Sequence, residues 1–167
     1  YIAIAAREIR QDFGLDHGEF GLLFGLATVA AGAALMIVGR LIDKLDLRLY
    51  CALVCIWMAG AALLTSAATN VALLALGIFT LRLGGQGLMT GTAAVSMVRY
   101  FPERRGTAIS IVSLGATLGL SLFPTIGVLL LTSVGWRLGF LSVGAAYAVF
   151  LVPLVLWLLK GHGERHR

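Results

Sequence analysis

Apolar residues along this chain fall in long blocks separated by short polar turns. The first full block runs from about Glu19 or Phe20 to Gly39, the second from Leu49 to about Ala68 and the third from about Val71 to Arg99. The fourth runs from Thr107 to about Leu131 and the fifth from Leu138 to about Leu159. Each approaches or exceeds the roughly 20 residues that carry an α-helix across a bilayer. Residues 1–6 read as the tail of a further helix whose body lies upstream. Residues 7–19 read as a polar connection, with Arg7, Glu8, Arg10, Asp12, Asp16 and Glu19. The pattern predicts an all-α polytopic membrane protein with spans at 19–39, 49–68, 71–99, 107–131 and 138–159.

Composition sharpens this picture. The chain is 59% hydrophobic and only 13% charged, against about 25% charged in soluble domains. Five apolar blocks in 167 residues leave too little polar surface for a water-soluble fold. Glycine is abundant, 21 residues against three prolines, as it is in membrane helices, where small residues let backbones approach closely. Gly87-x-x-x-Gly91 and Gly115-x-x-x-Gly119 have the spacing of such packing faces, and Pro124 is expected to bend the fourth span.

Charge then orients the chain. Segments 40–48, 99–105 and 160–167 hold nine Lys or Arg residues together, segments 7–19 and 133–137 hold three, and the turn at 65–70 holds none. Rich and poor segments alternate, so the positive-inside rule places the rich set, including the C-terminal end, in the cytoplasm. The net charge of +5 is therefore a topology signal and not a nucleic-acid footprint. Trp136 and Trp157 fall near expected interfaces, as aromatic anchors do. Cys51 and Cys55 share a helical face with no second thiol pair, which leaves packing as their role. His17, His162 and His166 form no metal cluster or triad, and no glycine loop with a lysine supports ATP coupling. Enzymatic chemistry is not expected, and no cofactor is.

The turn Gly39-Arg-Leu-Ile-Asp43-Lys44-Leu-Asp-Leu-Arg48 resembles the signature between helices 2 and 3 of the major facilitator superfamily, with Asp46 where that pattern has its second glycine. Arg82-Leu-Gly-Gly-Gln86-Gly87 resembles the arginine and glycines of helix 4. Arg104-Arg105-Gly106 resembles the turn before helix 5, and Gly135-Trp136-Arg137 the turn before helix 6. The last of these, with Pro124, looks like the bacterial branch of monocarboxylate and small-anion carriers. The resemblance covers essentially the whole chain. It implies an N-terminal six-helix bundle truncated to five full helices plus the end of helix 1, with a C-terminal bundle missing. It also implies secondary transport of a small solute by alternating access in a bacterial inner membrane. The partners implied are a small-molecule substrate, membrane lipids and the second bundle, with the full-length protein monomeric. A proton gradient is the implied energy source, although no carboxylate inside the spans carries it. A membrane sensor or scaffold on the same fold is the alternative.

Arg82 is the one ionisable residue deep inside a span. It lies twelve residues past Asn70, about 18 Å along a helix, and a charge at that depth requires protein, water or a partner. Two readings stand open: a path-lining group for an anion or a coupled proton site, and a structural arginine. Gln86, four residues on, shares its face and can orient it, touch substrate or bond across helices. Asp43, among Gly39, Lys44 and Arg48, is expected to act as a conformational latch against a helix N-terminus of the other bundle, with a solvated turn as the plain reading. Arg104 and Arg105 face lipid headgroups, the other bundle or neither. A native polypeptide of about 40–45 kDa is expected from twelve helices of roughly 20 residues each plus loops. Intact mass and terminal sequencing of the protein from its source membrane check this, and a native mass near 18–21 kDa, the half-length chain itself, would remove the two-bundle expectation.

Overall fold

A capping box starts the first long helix. The Asp16 carboxylate accepts from the Glu19 amide at 2.7 Å, and the Asp16 amide donates back to Glu19 Oε2 at 3.0 Å, which satisfies two orphan groups reciprocally. In a computed structural model that describes residues 1–39, 47–89 and 105–158, this helix is the second of the chain. The elements are α1 (Ile2–Phe13), α2 (His17–Val38), α3 (Leu47–Ser66) and α4 (Val71–Arg82), which runs on as a π-helical turn, Leu83–Met89. After them come α5 (Arg105–Ala146), a second π-helical turn at Tyr147–Leu151, and α6 (Val152–Leu158). Asn70 caps α4 by accepting from the Leu73 amide at 2.8 Å.

The N-terminal helix is longer than the sequence reading proposed. It runs through Arg7–Phe13, segment included, and stops at Gly14 with φ 64°, the left-handed geometry that ends many helices. The reason is amphipathicity. Ala5 and Ile9 are fully buried, four residues apart on one face, and Phe13 continues that stripe against the core. Charges at Arg7 and Glu8 sit beside it, so a helix with one apolar face reads as a polar stretch.

Among the described residues, four helices are long and apolar enough to cross a membrane: His17–Val38, Arg48–Ser66, Val71–Met89 and Ile109–Trp157. The fourth is 49 residues long and joins the segments expected as two spans, 107–131 and 138–159. Within it Gly135 alone leaves helical geometry, at φ 76° and ψ 174°, a region essentially restricted to glycine. The chain turns back there. Phe123 and Leu151 line one cavity, although 28 residues of straight helix would hold them about 42 Å apart. Pro124 lies inside this helix, and Gly135 is the residue that leaves helical dihedrals.

Helix α3 is central and contacts α4, α5, α6 and both π-helical turns. Glycines bring it close to α4: a Cβ on Gly77 would lie 2.5 Å from Thr65 Oγ1, and one on Gly84 would lie 2.6 Å from Met58 Sδ. Gly87 meets Leu35 of α2 in the same way. Gly115, by contrast, has nothing within 4 Å, and Gly119 meets only Phe123 of its own helix. That expected packing face therefore approaches no other described helix. Gly91 lies outside the described residues, as do residues 90–99 of the third expected span and Leu159.

One end of the bundle is clamped. The Trp136 indole donates to Asp12 Oδ2 at 2.7 Å, and Arg137 Nη1 donates to the Ser66 and Ala68 carbonyls at 3.0 and 2.7 Å. Ser66 Oγ returns a bond to the Arg137 carbonyl at 2.8 Å. The Arg137–Asp12 pair itself is 4.0 Å apart and half-exposed, and such pairs contribute about 0–1 kcal/mol. The bonds to carbonyls left free by the end of α3 carry more of the joint. Trp136, expected as an interfacial anchor, is instead buried, 4% exposed, because the Gly135 turn brings it under α1. Trp157 is 71% exposed.

Large apolar side chains also cover the outside, with Leu120 78%, Met36 74% and Ile37 73% exposed. Water would penalise such a surface, whereas lipid accepts it. Because the Gly135 geometry excludes a Cβ, Gly135→Ala is expected to destabilise the full-length protein by about 1–3 kcal/mol. Thermal unfolding in detergent checks this, and an unchanged melting temperature would place the reversal elsewhere.

Candidate functional site

The site is built where α4 gives way to its π-helical turn. A π-turn closes i→i+5 bonds and is wider than an α-turn, a feature frequent at functional sites. Here it begins directly after Arg82 and contains three glycines in seven residues, Leu83-Gly-Gly-Gln-Gly-Leu-Met89. Trp57 of α3 stabilises the entry to this turn by donating from Nε1 to the Thr80 carbonyl at 3.0 Å.

Arg82 is half-buried and points across to α2. Its Nε donates to Thr28 Oγ1 at 3.0 Å, its Nη1 donates to Gln86 Oε1, and its Cζ stands 4.3 Å from the centroid of the Phe24 ring. All three partners are neutral. Magnitudes explain how a cation holds without a counter-ion. Placing Arg at a helix centre costs about 2.5–3.5 kcal/mol on insertion scales. A hydrogen bond to a charged group returns about 1.5–3 kcal/mol, and a desolvated cation–π contact about 2 kcal/mol. The partners offset the burial, and among the described residues none brings a negative charge to the guanidinium.

Beside Arg82 lies a cavity of about 670 Å3, within the roughly 300–1,000 Å3 usual for small-molecule sites. Its lining is mainly apolar, from Tyr1 and Ile2 at the start of α1, both arms of α5, the second π-helical turn, Met58 and Leu81, and Arg82 is its one charged side chain among the described residues. Tyr147 and Ser142 add hydroxyls. The Tyr147 hydroxyl donates to Met89 Sδ at 3.7 Å, so the two π-helical turns meet next to the cavity.

The structure brings Arg82 and Gln86 together. Gly39 sits at the C-terminal end of α2 in helical geometry, and Arg48 is half-buried in the first turn of α3. Asp43, Lys44 and Arg104 lie outside the described residues, as does the side chain of Arg105, whose backbone opens α5 with exposed Gly106 following. Sequence reasoning missed Phe24 and Thr28. The available signal was their spacing: a ring and a hydroxyl four residues apart occupy one helical face, and Thr28 is the one hydroxyl in a span otherwise apolar from Phe20 to Gly39.

The pattern of the Major Facilitator Superfamily matches residues 1–167. The chain belongs to this superfamily. Over 166 residues it is 28% identical to the "Probable sulfoacetate transporter SauU" of Cupriavidus necator, covering 99% of this chain and 38% of that protein. It is 36% identical over 105 residues to the "Nitrate/nitrite transporter NrtP" of Picosynechococcus sp., covering 62% of this chain and 19% of that protein. It is 25% identical over 167 residues to the "Uncharacterized transporter YybO" of Bacillus subtilis, 38% of whose length is covered. The chain thus spans well under half the length of these relatives. No solved structure matches it. As a superfamily member it is a multi-pass membrane protein of a transporter class, and not an enzyme.

Proposed function

We propose that the whole protein moves a small anion across a bacterial inner membrane by alternating access, and that Arg82 is the anion's contact in this half. The observation that carries the reading is the Arg82 guanidinium, held by Thr28, Gln86 and Phe24 with no carboxylate among the described residues, at an apolar cavity. A positive charge with no carboxylate against it among the described residues attracts an anion, and low-dielectric walls strengthen that attraction. Two relatives are named for anions, sulfoacetate and nitrate or nitrite, which agrees with this sign.

In this reading the chain forms most of one six-helix bundle. The reversal at Gly135 supports counting α5 as two crossings, which makes five full spans after α1 with the C-terminal end in the cytoplasm. The second bundle supplies the facing wall, and rocking of the two exposes the site to either side in turn. Asp43, with Gly39, Lys44 and Arg48, latches the cytoplasmic face. A proton gradient drives uptake through a group of the other bundle. Arg104, Arg105 and Gly106 form the cytoplasmic turn before the next crossing, where basic side chains meet anionic headgroups.

Uptake of radiolabelled acetate, sulfoacetate and nitrate into proteoliposomes holding the full-length protein tests the proposal. Arg82→Ala is expected to lower uptake about 10–100-fold, the weight of one or more hydrogen bonds to a charged group, with membrane insertion intact. Unchanged kinetics would remove Arg82 from the path. If the unaltered protein takes up none of the three, the anion reading is wrong.

A further inference from the structure

Thr28 makes one bond as a donor and one as an acceptor, and their order matters. Its hydroxyl hydrogen goes to the Phe24 carbonyl at 2.7 Å, one turn back on α2. A hydroxyl has a single hydrogen, so toward Arg82 the same oxygen acts only as an acceptor, for Nε–H at 3.0 Å. Gln86 Oε1 takes a second hydrogen, from Nη1. Two in-plane anchors on different nitrogens fix the rotation of a planar group. Phe24, 4.3 Å away, covers it.

Guanidinium carries five N–H donors in a rigid fork. With one used on Nε and one on Nη1, one on Nη1 and two on Nη2 have no partner among the described residues. That is the end of the fork, the geometry that grips two oxygens of one oxyanion in parallel. A monatomic anion can accept from both N–H groups only at one atom, with both bonds bent, whereas an oxyanion takes each in line on its own oxygen.

We infer that Thr28 is a specificity-determining positioning residue, which locks the Arg82 plane through Phe24 and thereby selects anions presenting two oxygens, carboxylates, sulfonates and nitrate, over halides. The inference rests on the anion reading above and adds to it the class of anion and a residue on α2 that the sequence pattern did not single out. Thr28 touches the arginine and not the solute, so its effect appears in discrimination between anions.

The test measures binding of acetate, methanesulfonate, nitrate and bromide to purified full-length protein by isothermal titration calorimetry. Four forms are compared: unaltered, Thr28→Val, Thr28→Ser and Arg82→Lys. Val keeps the shape of Thr and removes the acceptor, whereas Ser keeps the hydroxyl. Thr28→Val is expected to weaken the three oxyanions about 10-fold, the weight of one charge-assisted bond, while bromide changes little. Thr28→Ser is expected to restore the preference, and Arg82→Lys, which replaces the fork with a point charge, to abolish it. Should Thr28→Val not fold, Thr28→Ala against Thr28→Ser makes the same comparison. If Thr28→Val leaves the oxyanion preference intact while Arg82→Lys removes it, the role of Thr28 falls and the anion reading stands. Equal weakening of oxyanions and bromide by Thr28→Val also overturns the role, since that is a general packing loss. If the unaltered protein binds no anion, or Arg82→Lys changes nothing, the anion reading itself fails.

Discussion

Lipid offers no hydrogen bonds, and that absence governs everything else in this chain. Backbone groups at membrane depth have to be satisfied from within, so each apolar block becomes a helix and departures from helix concentrate where side chains or glycine can absorb them. Asp16 and Asn70 cap α2 and α4. Arg137 reaches the carbonyls freed at the end of α3. Hydroxyls within the helices follow the same rule, as Thr65 does in bonding the Ala61 carbonyl at 2.8 Å while fully buried.

A second consequence concerns how helices hold one another. Between apolar surfaces in lipid there is no hydrophobic drive, so contact depends on close packing and on scarce polar joints. Gly77 against Thr65 and Gly84 against Met58 show the first. The Asp12, Trp136, Arg137 and Ser66 clamp shows the second, tying α1, α3 and the Gly135 reversal at one end of the bundle. Within the apolar spans the corresponding joint is Arg82 to Thr28. It ties α4 to α2 and at the same time leaves part of a cationic fork beside a cavity. One residue thus serves packing and recognition together.

The π-helical turn after Arg82 belongs to the same economy. Its glycines come close to Met58 and Leu35, and Gln86, four residues past the arginine, bonds to it. The second π-helical turn brings Tyr147 to Met89. The second turn lines the cavity through Tyr147, Phe150 and Leu151, and the first begins directly after Arg82, where a rearranging carrier has most use for a helix that is not fully regular.

Much of the architecture was legible in the chain. Block lengths near that of a bilayer, the alternation of basic and neutral turns, and a single arginine deep in a span are one-dimensional quantities, and they indicate membrane helices and the residue most costly to bury. The Asp16–Glu19 cap went unread, because residues 7–19 were taken together as a polar connection. The extent of α1 was obscured because its apolar stripe is interleaved with charges, and Trp136 was misjudged because depth along a sequence does not tell which way a turn rotates a side chain. Glycine spacing alone did not separate Gly77 and Gly84, which meet neighbours, from Gly115, which meets none. The partners of Arg82 were beyond the sequence altogether. Thr28 lies 54 residues away, and nothing local couples the two. Sequence by itself determined that this chain crosses a membrane repeatedly and carries a cation well inside one apolar block, because hydropathy and charge are sums over neighbouring residues. Only tertiary structure decided what that cation touches, because helix rotation and approach are set by packing between segments distant in the chain.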